Sequence, residues 1–211
     1  MSGPTGPGGS GLTLDDVLDL RAYERVREDF RARVIARKRN RRLSLGPIMT
    51  LVFECLDTVR FQVQEMARVE KIISDQALQV ELDIYNRLLP GRNELSATLL
   101  IELTSDAGLR EWLPKLVGIE ERIGFAIDGD VVASRPEEEH GAALTREAVT
   151  PAVHYLRFGF TELQVAAFER ADEVALLSLH PDYEARTVLP PPVRAELLGD
   201  LLGTTKSLPI G

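Results

Sequence analysis

The sequence predicts an α+β fold, in which a mainly antiparallel sheet is flanked by helices. Strand-like and helix-like segments alternate along the 211 residues, and none carries the glycine-rich turn of a parallel βαβ nucleotide-binding unit. Two pairs of predicted strands are joined by very short connections, residues 50–55 with 59–64 and residues 123–127 with 131–133. Short connections join antiparallel neighbours, because a parallel crossover needs a dozen residues or more.

The strands are predicted from alternating apolar and polar residues. Leu51, Phe53 and Cys55 fall on one face of the segment 50–55. Residues 59–64 repeat the alternation, with valine and phenylalanine on one face and arginine and glutamine on the other. In the second hairpin, an Asp-Gly pair occupies the connection, and this pair favours a tight two-residue turn. Further strands are predicted at residues 97–104, 153–160, 174–179 and 183–188.

The helices are predicted from apolar residues that recur every three or four positions. A long basic N-terminal helix is predicted at residues 22–38, where Val26, Phe30 and Val34 form a narrow apolar stripe on an arginine-rich surface. Further helices are predicted at residues 66–88, with a break at Ser74 or Asp75, and at residues 107–116 and 162–170.

The chain is predicted to contain one domain with two flanking segments. Residues 1–11 are rich in glycine, proline and serine and are expected to form a disordered tail. Residues 12–188 form the single α+β domain, which is a usual domain size. Three consecutive prolines then precede an amphipathic stretch, so residues 189–211 are expected to form a separate C-terminal stub.

The composition is that of a soluble globular protein, with 44% hydrophobic and 27% charged residues. The single cysteine, Cys55, excludes an internal disulfide and any CxxC motif. The first residues lack the pattern of a signal peptide, and no apolar run approaches the roughly 18–20 residues that cross a bilayer. We therefore expect a cytoplasmic protein without a membrane-spanning segment.

The net charge of −8 is unevenly distributed along the chain. Residues 21–42 contain ten lysines or arginines and three acidic residues, so this segment carries +7 and the remainder carries −15. An acidic body with one basic segment argues against general nucleic-acid binding. The basic helix is either a solvated surface or a docking site for an acidic partner. The candidate docking residues are Arg31, Arg33, Arg37 and Arg39.

The motifs of several common enzyme and metal-binding classes are absent. The sequence contains no Walker loop, HExxH, GxSxG or EF-hand motif. A zinc site would need histidines from three separate segments to converge, and Cys55 falls where a small apolar strand residue is expected. No metal ligand is therefore assigned, and the cofactor and the oligomeric state stay open.

A polar set of side chains along the first predicted hairpin is the candidate site. On neighbouring antiparallel strands such residues lie roughly 5 Å apart, close enough for an arginine–carboxylate pair. The set is either the solvated face of an amphipathic sheet or a semi-buried network that specifies the fold or binds a ligand. The candidate ligand-binding residues are Glu54, Arg60, Gln62, Gln64, Glu65, Glu102 and His154.

Several segments carry a resemblance to a known family. The run of residues 12–47 and the segments TLVFE, TVRFQVQEMARVEKI, YNRLLP, ATLLIEL and AVHYLRF resemble the bacterial family catalogued as domain of unknown function 3501. The resemblance covers roughly residues 12–180. Members of that family are often encoded beside a rubrerythrin-like di-iron protein and a cysteine-rich iron–sulfur oxidoreductase, which implies an association with peroxide handling or electron transfer.

Three hypotheses follow. The resemblance implies an accessory or binding protein for an iron–sulfur oxidoreductase and a rubrerythrin-like protein, because the chain lacks the cysteine ligands and the ExxH motif of those partners. The residues also suggest a small enzyme or ligand-binding domain that uses the polar set on an anionic or carbonyl-bearing ligand, with His154 as candidate acid or base. RNA binding ranks third, because the basic helix offers only Tyr23 and Phe30 for base stacking.

Overall fold

The computed structural model describes residues 11–137 and 149–210, and the α+β prediction is confirmed. Residues 1–10 of the predicted tail, and His140, lie outside the described residues. The described helices are α1 (Leu20–Arg39), α2 (Leu56–Glu70), α3 (Asp75–Tyr85), α4 (Asp106–Trp112), α5 (Glu162–Arg170) and α6 (Pro191–Leu201). The described strands are β1 (Arg42–Leu45), β2 (Met49–Phe53), β3 (Glu94–Ile101), β4 (Ile123–Ile127), β5 (Asp130–Ala133), β6 (Arg135–Pro136), β7 (Val153–Gly159), β8 (Val174–His180) and β9 (Tyr183–Val188).

The strands of the described ranges form two antiparallel sheets. The first has the order β1-β2-β3-β7-β6 and the second the order β5-β4-β8-β9. Aromatic side chains fill the space between the sheets, where Phe125 of the second sheet lies 5.7 Å from Phe53 and 5.0 Å from Phe158 between ring centroids. All three rings are fully buried. The main core therefore lies between two packed sheets.

The turn between β1 and β2 connects the two sheets. Gly46 has a φ of +67°, and a Cβ atom at this position would lie 2.4 Å from the Tyr183 hydroxyl of β9. That hydroxyl donates to the Leu45 carbonyl at 2.7 Å and accepts the Ile48 N–H at 3.2 Å. The turn needs glycine for its backbone conformation and for the close approach of the tyrosine.

The C-terminal helix belongs to the main core. Val193, Leu197 and Leu201 of α6 are buried in the same hydrophobic cluster as Phe125 and Phe158. The expectation of a separate stub at residues 189–211 is therefore wrong for α6. The three prolines begin this helix instead of separating it from the domain, since proline is well suited to the first helical position.

Helices α1, α2 and α3 form a layer with two smaller hydrophobic clusters. Val59 and Val63 of α2 pack with Leu82 of α3, and Tyr155 of β7 contacts this cluster. The second cluster, on α1, contains Tyr23, Phe30 and Val34, and Phe61 of α2 packs against it. Helix α2 therefore contacts α1, α3 and the first sheet.

The predicted strand at residues 59–64 is wrong, because these residues belong to α2. Val59 and Val63 are four positions apart in the sequence. This spacing places both side chains on one face of a strand, where the period is two, and also on one side of a helix. The side chains of the polar residues between them point in different directions around the helix.

The predicted break in the following helical segment is confirmed. Helix α2 ends at Glu70, and the Ser74 hydroxyl caps α3 by accepting the Ala77 N–H at 3.3 Å. The apolar periodicity that predicted this segment does not mark a core face throughout, since Val69 and Ile73 are 65% and 88% exposed.

Replacement of Gly46 by alanine is expected to destabilise the protein more than replacement of Gly129, which is a matched control. Both glycines have positive φ, but the space around Gly129 is open. The left-handed conformation alone costs about 1 kcal/mol, whereas Gly46→Ala also forces the Tyr183 hydroxyl away, for a total of about 3 kcal/mol or more. Urea unfolding of the two variants measures the difference, and equal losses would contradict the proposed role of Tyr183.

Candidate functional site

A cavity of about 840 Å³ lies at the N-terminal end of α2. Its walls come from the end of α1, the first residues of α2, the loop 89–93, the beginning of α5, the end of α6 and residues 203–207. Segments distant in sequence therefore meet around one space. Volumes of about 300–1,000 Å³ are typical of small-molecule sites.

The first turn of α2 forms one wall of this cavity. Cys55 occupies the position before the helix, and its N–H donates to the Thr58 hydroxyl at 2.9 Å. The first N–H groups of a helix lack partners within the helix, and this end carries a partial positive charge. Burial raises the pKa of the Cys55 thiol, although the nearby Arg41 guanidinium opposes the shift. Cys55 is therefore a neutral, buried thiol at neutral pH and a poor nucleophile.

Asp57 is the centre of a buried ion cluster next to the cavity. Its side chain is fully buried and forms ion pairs with Arg37 of α1 and with Arg60 of α2, the latter at 2.9 Å. The Leu208 N–H also donates to Asp57 Oδ1 at 2.9 Å. Three donors thus compensate the carboxylate for the loss of water.

A second ion cluster holds α6 against the cavity. The fully buried Arg41 donates to both carboxylate oxygens of Asp200, at 2.7 and 2.8 Å, and lies 3.0 Å from Glu196. A guanidinium that binds a carboxylate with two parallel hydrogen bonds fixes both distance and orientation. Asp200 lines the cavity, but its negative charge is already neutralised by Arg41.

The rim of the cavity carries two exposed cations. Arg92 and Lys206 line the cavity and are exposed. Arg92 forms an ion pair with Glu162 at 3.4 Å, and both side chains are more than 70% exposed. Such an exposed pair contributes little energy, so Arg92 remains accessible to a ligand.

The seven candidate residues from the sequence do not share one surface. Glu54 and Gln62 do meet: the buried Glu54 accepts from Gln62 at 3.2 Å, from Thr58 at 2.5 Å and from Thr98 at 2.7 Å. Arg60 lies in the Asp57 cluster. The prediction of a common polar face is wrong, because successive residues of a helix point about 100° apart.

Gln64 and Glu65 connect α2 to the first half of α1 and to the residues just before α1. The buried Gln64 amide accepts the Leu18 N–H at 2.8 Å and donates to the Leu18 carbonyl at 3.1 Å. Glu65 accepts from the Tyr23 hydroxyl at 2.8 Å and from Arg27 at 2.7 and 2.9 Å. The Arg27 guanidinium lowers the pKa of Glu65 to about 2. These two residues fix α1 against α2.

The remaining two candidates lie on strands or next to them, outside the lining of the cavity. Glu102 accepts from Thr50 at 2.6 Å and from Arg42 at 2.5 Å, and it is half exposed. His154 is buried on β7, with its Nε2 atom 3.0 Å from the Thr150 hydroxyl. Burial lowers the pKa of His154, while Glu120, 3.7 Å away, opposes this shift.

The four candidate docking arginines of α1 divide into two kinds. Arg31 and Arg39 are exposed. Arg33 is half-buried, with its guanidinium 6.0 Å from the Phe30 ring centroid. Arg37 belongs to the Asp57 cluster and lies 3.4 Å from Glu196. Only Arg31 and Arg39 are therefore accessible enough to contact a docking partner.

Within residues 11–137 and 149–210, no group of three histidine, cysteine or carboxylate side chains is arranged to hold a metal ion. The helices of these same ranges are all too short or too polar to cross a membrane.

Sequence reasoning did not identify Asp57 or Arg41. The signal for Asp57 was present: an acidic residue two positions before the i, i+4 spacing of Val59, Val63 and Ala67 is typical of the first turn of a helix.

Residues 11–201 match the family described as Protein of unknown function (DUF3501). The chain belongs to this family. A crystal structure of a novel protein of unknown function from Burkholderia pseudomallei is 37% identical in sequence to this chain. The match covers 91% of this chain and 100% of that chain, with a TM-score of 0.83, so the two share one fold. No curated protein matches the chain.

Replacement of Glu65 by glutamine is expected to destabilise the protein at neutral pH by about 1–3 kcal/mol, because the carboxylate is bound more favourably in the folded state. The folded-state pKa is lowered, so the stabilisation is present above the unfolded-state value of about 4.3 and is lost as the pH falls towards 2. The free energy of unfolding from urea titrations at pH 7 and pH 3 measures the change. Glu70→Gln, on the exposed end of α2, is the control with a small effect at both pH values; a Glu65→Gln variant as stable as wild type at pH 7 would contradict the assignment.

Proposed function

We propose that the chain is a cytoplasmic small-molecule-binding protein whose site is the cavity at the start of α2. The observation that carries the proposal is the 840 Å³ cavity itself, which is lined by several segments distant in sequence. Two buried ion clusters, around Asp57 and Arg41, fix the walls. A cavity with walls held in this way is largely preformed, which reduces the entropic penalty of binding.

The walls favour a ligand with an apolar body and one anionic group. Leu56, Val165 and Leu201 supply apolar surface. The partial positive charge at the N-terminus of α2 and the rim cations Arg92 and Lys206 attract an anion. The internal acids Asp57 and Asp200 do not oppose this, because arginines already pair with both.

Binding, rather than catalysis, is the activity that the cavity supports. Its only sulfur nucleophile, Cys55, is neutral because of the raised pKa of its thiol, and His154 is not among the lining residues. Both carboxylate oxygens of Asp57 already accept hydrogen bonds, from Arg37, Arg60 and the Leu208 N–H, so neither oxygen is positioned to take a proton from a ligand.

The anionic aromatic dye 8-anilinonaphthalene-1-sulfonate tests the proposal. Wild-type protein is expected to bind it with one saturable site, and Leu202→Trp, which narrows the cavity with a bulkier side chain, is expected to weaken binding severalfold. Leu202 is suitable because it lines the cavity and is 48% exposed, so the fold tolerates the larger side chain. Dye fluorescence titrations measure the affinity.

Leu179→Trp is the matched control, because Leu179 is 53% exposed but lies outside the cavity lining. A Lys206→Glu variant is expected to weaken dye binding severalfold by removing a rim cation. If Leu202→Trp and Leu179→Trp bind the dye equally well, the cavity is not the binding site.

A second candidate function is docking to an iron–sulfur oxidoreductase or a rubrerythrin-like protein as an accessory component. The observation that favours it is the outer face of the second half of α1, where Arg31 and Arg39 are exposed and residues 31–42 contain no acidic residue. In the first half, exposed Glu24, Glu28 and Asp29 lie among the arginines. The rest of the chain is strongly acidic, so this face is a distinct basic surface. It suits a partner with an acidic surface.

Reversal of Arg31 and Arg39 to glutamate is expected to weaken binding to such a partner by about tenfold or more at low salt. Surface plasmon resonance with the purified partner measures this, and Arg110→Glu on α4 serves as the control. Arg37 is left unchanged, because its loss would leave Asp57 partly unpaired. Equal affinities for the double reversal and the control would exclude α1 as the docking surface.

A further inference from the structure

Residues 203–210, named here the strap, lie across α1 and the beginning of α2. The strap is held through its main chain. The N–H of Leu208 donates to Asp57 Oδ1 at 2.9 Å, and its carbonyl accepts from Arg60. The carbonyl of Lys206 accepts from Arg37 Nη2 at 2.9 Å. Side chains of the helices therefore bind the main chain of two strap residues that are two positions apart.

Two apolar side chains of the strap enter the groove between α1 and α2. Leu208 and Ile210 pack against the cluster of Tyr23, Phe30 and Val34, to which Phe61 of α2 also contributes. Main-chain hydrogen bonds combined with apolar pockets for alternate side chains are the usual way in which proteins recognise an extended peptide.

The charges of the groove also match a peptide main chain. Two guanidinium groups, from Arg37 and Arg60, surround the single carboxylate of Asp57. Arg37 also lies 3.4 Å from Glu196, and further N–H groups of the two guanidinium groups donate to the carbonyl oxygens of Lys206 and Leu208. Any segment that replaced the strap would have to supply the same N–H and carbonyl groups, because buried charged groups are costly to leave unpaired.

The groove and the strap differ in their relation to the family. The match to the family ends at residue 201, before the strap begins. Arg37, Asp57 and Arg60 all lie inside the matched range. The groove is thus part of the family domain, whereas the segment that fills it is outside the match.

We propose that the groove between α1 and α2 is a recognition site for an extended segment of a partner protein, and that the strap is its built-in competitor. The partner segment would carry a free N–H and an apolar side chain at one position and a second apolar side chain two residues later, as Leu208 and Ile210 do. The groove and the cavity share Arg37, Asp57 and part of the strap, but peptide binding and dye binding are measured in separate titrations, so either proposal can fail alone.

The strap competes strongly with a free peptide because it is tethered. A short flexible tether gives an effective concentration in the millimolar range. A free peptide whose intrinsic Kd is about 10 μM is therefore expected to bind roughly 100-fold more weakly to the wild-type chain than to a chain whose strap is released.

The test uses the full chain with the double substitution Leu208→Asp and Ile210→Asp, which removes the apolar anchors of the strap. A fluorescein-labelled peptide of sequence TTKSLPIG, identical to residues 204–211, is titrated and its anisotropy measured. The released variant is expected to bind roughly 100-fold more tightly than wild type. The same peptide with aspartate in place of leucine and isoleucine is the control and should not bind.

Two further measurements complete the test. Adding Asp57→Asn to the released variant should weaken peptide binding at least tenfold, with circular dichroism confirming that the variant is folded. In the wild-type chain, the Leu208 amide should exchange with solvent much faster than the amide of Leu99 in the buried strand β3. This second measurement needs no substitution.

Three results would overturn the proposal. A folded released variant that does not bind the peptide would show that the groove does not recognise a separate segment. Protection of the Leu208 amide equal to that of Leu99 would make the strap a permanent part of the fold. A wild-type dimer that disappears in the released variant would make a second copy of this chain the occupant.

Discussion

The buried carboxylate of Asp57 is the interaction on which the arrangement around the candidate site depends. A buried charge is tolerated only when it is paired and hydrogen-bonded. Asp57 obtains its partners from three parts of the chain: Arg37 of α1, Arg60 of its own helix and the N–H of Leu208 in the strap. Satisfying this one group therefore fixes the long helix, the start of α2 and the strap relative to one another, and it does so at the edge of the cavity.

The Arg41 cluster has the complementary role on the other side of the cavity. Arg41 lies just before β1 in sequence, but its bonds to Asp200 and Glu196 reach across to α6. The helix thereby brings Leu201 and Leu202 to the cavity wall. The two clusters explain why the site has charged walls and yet little uncompensated charge, a combination that suits an amphipathic anionic ligand better than a metal ion.

The polar residues that stand out in the sequence are mostly structural partners. Gln64 binds the Leu18 main chain and Glu65 binds Tyr23 and Arg27, so both hold α1 on α2. Their positions were misinterpreted because valines at residues 59 and 63 satisfy a strand period of two and a helix spacing of four equally well. The deciding signal was local: Cys55 and Thr58 form the start of a helix where a hairpin turn was expected.

The sequence by itself determined the fold class, the hairpin Ile123–Ile127 with Asp130–Ala133, the helix Glu162–Arg170 and the strand Tyr183–Val188, since each carries a clear period bounded by turn or cap residues. It also determined the family. Only the tertiary structure decided the cavity, the two ion clusters and the place of the strap. Their partners are separated by up to 169 residues along the chain, and no local pattern specifies which distant arginine neutralises which carboxylate.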